Sequence, residues 1–71
     1  MSDHRERLKI EHEELDARLE KLHVFIQDSE VYRSLPHVER EDLRDQLTVM
    51  RVYRNILRKR LARMFDEETP A

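Results

Sequence analysis

Four histidines, sixteen carboxylates and three serines are the side chains here with the chemistry for metal binding or catalysis, and their spacing supports neither. His4, His12, His23 and His37 form no i,i+4 pair and no HExxH, and no cysteine accompanies them, so no metal site is expected. The carboxylates fall on faces that a helix would turn to water, where nothing would tune one of them for proton transfer. Ser2, Ser29 and Ser34 sit at cap or turn positions, where a hydroxyl serves the backbone. The expectation is a protein that is not an enzyme and needs no cofactor. What remains is binding chemistry, concentrated in "QLTVMRVYRNILRKRLARMF", residues 46 to 65, with six basic side chains and no acidic one.

Composition restricts what such a run can bind. The 71-residue chain has a net charge of −2 and a pI near 6.1, and only Tyr32, Tyr53, Phe25 and Phe65 are available for stacking on bases. A nucleic-acid-binding domain is normally net basic, so nucleic acid is disfavoured as a partner. Charged residues make up 42% and apolar ones 38%, enough for an amphipathic bundle and too little for a large enclosed cavity. Glycine is absent and the prolines are Pro36 and Pro70, so 33 consecutive residues after Pro36 meet no strong helix breaker. The absence of cysteine fits a reducing cytoplasm. The segment "MSDHRERLKI" is charged from its third residue, so neither a signal peptide nor a membrane span is expected.

Two helices must position the basic run. Leu8, His12, Leu15, Leu19, Leu22 and Ile26 follow one another at spacings of 4, 3, 4, 3 and 4, the seam of a helix over about residues 3–28. Ser2 or Asp3 can cap it, with Glu6 in reach of a capping-box role. The stretch "DSEVYRSLP" loses that period and ends in a proline, which predicts a turn over about residues 29–36. Leu43, Leu47, Met50, Arg54, Leu57, Leu61 and Met64 then resume the alternation of 4 and 3. This predicts a second helix over about residues 37–65, capped by Ser34, with 66–71 a frayed polar tail. The fold class is all-α, an antiparallel two-helix hairpin formed by residues 1–65, with dimerisation into a helical bundle as the expected remedy for so small a core.

In that hairpin the basic helix lies beside a first helix whose residues 3–30 hold nine acidic and five basic side chains. Arg51, Arg58, Lys59, Arg60 and Arg63 can then pair along the rim with Glu6, Glu11, Glu13 and Glu14, neutralising the run and setting the register. His12 and Arg54 break the two seams with polar groups, which also specifies register.

Each helix has a spare apolar set. Ile10, Ala17 and Val24 recur every seven residues opposite the first seam, with Phe25 beside Val24, and Val49, Val52, Tyr53 and Ile56 lie off the second. A hairpin buries one face of each helix, so a second chain is expected to cover the other. The candidate dimer or partner-binding residues are Ile10, Val24, Phe25, Val49, Val52, Tyr53 and Ile56, within a charged rim of Arg51, Arg58 and Arg60.

"EHEELDARLEKLHVFI" followed by "LRDQLTVMRVYRNILRKRL" resembles the small phage-encoded helical-hairpin proteins of the crAss-like-related group. The shared pattern is E-x-x-E-L, k-L-x-x-F-I, a turn, then L-x-x-Q-L-x-x-M-x-x-Y-x-x-x-L-x-x-R. Here it falls on Glu11, Glu14, Leu15, Lys21, Leu22, Phe25, Ile26, Leu43, Gln46, Leu47, Met50, Tyr53, Leu57 and Arg60, and Tyr32 supplies the aromatic usual in the turn. The resemblance, which extends to an anti-quorum-sensing group in Pseudomonas phages, implies a non-enzymatic accessory protein, homodimeric in the host cytoplasm. It implies binding and inhibition of a host regulatory protein, specifically a LuxR-type quorum-sensing transcription factor, and also the type IV pilus assembly ATPase. The alternatives are a sponge for a small anionic ligand such as a cyclic nucleotide and a weak nucleic-acid-binding protein.

Overall fold

The computed structural model describes residues 3–68, with side chains described as far as Met64. Three helices follow in order, α1 (His4–Asp28), α2 (Glu30–Ser34) and α3 (His37–Glu68). No strand occurs among the described residues. The two long helices pack on each other as a helical hairpin, and α2 closes one end.

The seams are those that the spacing predicts. Leu8, Leu15 and Leu57 form the central cluster, joined by the partly buried Met50, Leu61 and Met64. Leu19 and Leu47 are also buried, while Leu22, Ile26 and Leu43 are half-buried along the same line. Leu57 has no exposed surface at all. Apolar burial of this kind, at about 25 cal/mol per Å², is the main favourable contribution the hairpin has.

Asp3 caps α1, its Oδ1 accepting from the Glu6 amide at 2.8 Å. That bond holds the Asp3 carboxyl below the ordinary carboxylate value. Ser2, the other candidate cap, lies outside the described residues.

The predicted turn is itself helical in part. Ser29 ends α1, its N–H donating to the Phe25 carbonyl at 3.1 Å, and starts α2, its Oγ accepting from Val31 at 3.1 Å and Tyr32 at 3.3 Å. Ser34 does not cap the second long helix as expected. Its Oγ donates to the Val31 carbonyl at 2.8 Å, within α2. The cause is Pro36, which forces Leu35 into an extended conformation (φ −71°, ψ 151°) and shifts the helix start beyond Ser34's reach. The Pro36 carbonyl then accepts the first bond of α3, from Arg40 at 3.1 Å. At the other end α3 continues to Glu68, so residues 66–68 of the expected tail are helical; residues 69–71 lie outside the described part.

Tyr32 plugs the closed end. It is 5% exposed, its ring meets Phe25 edge-on at 5.9 Å and 77°, and its hydroxyl accepts from Arg44 Nε at 2.8 Å. The hydroxyl donates in turn to the Arg40 carbonyl at 3.5 Å. An aromatic with a polar end suits this position, because the ring closes the core and the oxygen meets backbone and guanidinium.

Candidate binding surface

The molecule measures 53 × 23 × 16 Å, with a radius of gyration of 16.1 Å. A compact domain of this length would have about 11 Å. Two helices side by side leave most of each cylinder uncovered, and the distribution of what is uncovered defines the candidate site.

On α3, Val49 (66%), Val52 (55%), Tyr53 (41%) and Ile56 (46%) are exposed. Counted from the buried Leu57 at about 100° per residue, Tyr53, Val49 and Ile56 lie about 40°, 80° and 100° round one side, with Val52 farther out. On α1, Ile10 and Val24 are also exposed. They lie about 140° and 180° round from Leu15, on the face directed away from α3. The two predicted apolar sets therefore reach solvent on different faces of the hairpin. Phe25, predicted as part of the first set, is half-buried against Tyr32 and belongs to the closed end. Val31 and Val38 are exposed near the turn and carry no helical period that would have singled them out.

Tyr53 is held in place. Its hydroxyl donates to Glu11 Oε1 across the hairpin, which raises the phenol's pKa above its ordinary value and keeps it protonated. Near that contact, His4, Arg7, Leu8, Glu11 and Arg60 line an open cleft of ≈ 270 Å³ at the open end. Its cations face a carboxylate already engaged by Tyr53.

The rim pairing expected between the helices is not formed. Among the described residues no ion pair joins Arg51, Arg58, Lys59, Arg60 or Arg63 to Glu6, Glu11, Glu13 or Glu14. The cross-helix pair is Arg54 Nη1 with Asp16 Oδ1 at 3.3 Å. Helix geometry explains the difference. Arg54 sits close enough to the seam to reach α1, whereas Arg51, Arg58 and Lys59 are rotated about 100–160° from Leu57 and point outward. The basic run therefore keeps exposed cations, with Arg51, Arg58 and Arg60 among them.

Both polar seam residues are half-buried. His12 Nε2 and Arg54 Nε are withdrawn from water with no hydrogen-bond partner among the described residues. No group of three or more metal-ligating side chains converges among them either, and no helix is long and apolar enough to cross a membrane.

A family model described as Sequestin matches residues 2–63 of the chain. Neither the curated proteins nor the solved structures contain a match. The matched segment takes in the first seam, the closing turn, the second seam as far as Leu61 and the exposed residues Val49, Val52, Tyr53 and Ile56 of α3.

Proposed function

This chain belongs to the Sequestin family, and from that premise we propose that it is a non-enzymatic protein acting by stoichiometric capture, and that what it captures is a host regulatory protein. The family's name speaks of sequestration, which requires a binding surface and no reaction. The observation that carries the reading is the exposed apolar residues, Ile10 and Val24 on one face and Val49, Val52, Tyr53 and Ile56 on another. Binding energy at protein surfaces concentrates in a few such anchors within a charged rim, here Arg51, Arg58 and Arg60. The specific target we propose, resting on the resemblance to phage-encoded hairpins, is a LuxR-type quorum-sensing transcription factor in the host cytoplasm, with the type IV pilus assembly ATPase as a second. The test is to titrate a purified LuxR-type receptor with this protein and follow its binding to operator DNA. Loss of DNA binding that is complete near a one-to-one ratio supports the reading. An unaffected receptor overturns that target.

A second reading is favoured by a separate observation. The outward cations Arg51, Arg58 and Lys59 have no carboxylate partner among the described residues, so they are available to a small anion such as a cyclic nucleotide. Heat denaturation of protein purified from infected cells, followed by chromatography of the supernatant, distinguishes the two. A released nucleotide in amounts comparable to the protein supports the sponge, and its absence supports the protein target.

A further inference from the structure

We infer that the outer face of α1 seats one basic amphipathic helix of the sequestered protein, laid along Ile10, Ala17 and Val24. The inference rests on the sequestering reading and names the element that is held. Counted from Ala17 at about 100° per residue, Ile10 and Val24 lie about 20° to either side, so the three form a nearly straight line on the side of α1 directed away from α3. All three are exposed. The line is about 21 Å long at ~1.5 Å rise per residue, so the helix it seats has about four turns.

Charge decides what kind of helix fits. Within about 60° of Ala17, the exposed Glu6, Glu13, Glu14, Glu20 and Asp28 stand against the single cation Lys21. None of these carboxylates forms an ion pair among the described residues. The face is therefore an apolar line bordered by unpaired negative charge, and its complement is a helix with an apolar stripe bordered by lysine and arginine. A helix with acidic borders is repelled. Ala17 adds a requirement of size. Its methyl group leaves a dip between Ile10 and Val24, where the incoming helix sets its largest apolar side chain.

A second copy of this chain suits the face less well. Two such faces related by a two-fold axis would set carboxylates against carboxylates. The basic part of another copy's α3 has the right charge, but a contact from α1 of one copy to α3 of the next is heterologous and generates rings or filaments rather than a closed pair. The seat on α1 also leaves Val49, Val52, Tyr53 and Ile56 of α3 open to other parts of the captured protein.

The test uses the full chain and two labelled synthetic helical peptides of about 21 residues. Both carry leucine, phenylalanine and leucine at seven-residue spacing, bordered by lysine in one and by glutamate in the other. Fluorescence anisotropy should show saturable binding of the lysine peptide and none of the glutamate peptide. Ile10→Ser together with Val24→Ser leaves the charge unchanged and should weaken binding about tenfold or more, as should Ala17→Arg. Val52→Ser on α3 should leave it within about twofold. No binding of the lysine peptide at micromolar concentration overturns the inference. Wild-type affinity in the serine pair reduces the contact to charge alone and overturns it too, as does a loss on Val52→Ser that moves the site to α3. Rings or filaments of the chain alone, abolished by the serine pair in sedimentation, make a second copy the occupant and likewise overturn it. Should the serine pair lack helical circular dichroism, Ala17→Arg decides. The receptor titration above separates this inference from the target. A receptor left unaffected by a chain that still holds the lysine peptide overturns the target alone, whereas a receptor inhibited equally by wild type and Ala17→Arg overturns the α1 seat alone.

Discussion

The Tyr53 hydroxyl and the Glu11 carboxylate, 42 residues apart in sequence, meet across the hairpin and fix one side of α3 to α1. The Glu11 acceptor raises the Tyr53 pKa, so the folded state holds the phenolic proton more tightly than the unfolded chain does. The sign is that of a raised folded-state pKa. The stabilisation is fully present below the ordinary tyrosine value of about 10 and is lost as pH rises through the higher folded value. In a Tyr32→Phe background, where Tyr53 is the remaining tyrosine, its phenolate absorbance should appear at higher pH than in the unfolded chain. Glu11→Gln should bring it back toward the ordinary range. An unchanged titration after that substitution would show that the hydrogen bond does not persist in solution.

Tyr32 offers a comparison between a ring and its hydroxyl. Tyr32→Phe removes the oxygen that accepts from Arg44 while keeping the contact with Phe25. It should cost about 1 kcal/mol in denaturant unfolding. Tyr32→Ala also removes the ring and should cost about 3–5 kcal/mol, as much as a domain of this size commonly has in reserve. Loss of helical circular dichroism at room temperature is the expected outcome for the alanine variant alone.

The two serines of the turn should separate cleanly. Ser29→Ala removes the cap that accepts two α2 amides and should destabilise by about 0.5–2 kcal/mol. Ser34→Ala removes only a hydroxyl donating to a carbonyl within α2, and should stay within about 0.5 kcal/mol of wild type. Equal thermal midpoints for both variants would show that α2 does not depend on its cap.

His12 is a seam residue whose Nε2 is withdrawn from water without a partner among the described residues. Replacing it with leucine exchanges that polar atom for apolar contact and should raise stability by about 1–3 kcal/mol. If the polar break also specifies register, His12→Leu together with Asp16→Asn, which weakens the Arg54 pair, should narrow the dispersion of amide resonances and broaden the lines while helix content is unchanged. A variant less stable than wild type would mean that His12 makes a bond in solution.

By itself the sequence determined that this chain forms two long helices and which side of each is buried. The positions Leu8, Leu15, Leu19, Leu47 and Leu57 carry that information in their spacing, and helical periodicity is a local property that the backbone imposes. The same spacing showed that Val49, Val52, Tyr53 and Ile56 would be left uncovered. Only the tertiary structure decided which polar groups meet across the hairpin. Rim pairing was expected from net charge in each half, but whether two long side chains touch depends on the rotation of both helices, the offset between them and competing partners. Glu11 therefore went to Tyr53 and Asp16 to Arg54. The turn was decided there too. Whether Ser29 or Ser34 caps a helix, and whether Phe25 faces outward or packs on Tyr32, depends on how Pro36 redirects the chain, a constraint that acts over several residues and leaves no period to read.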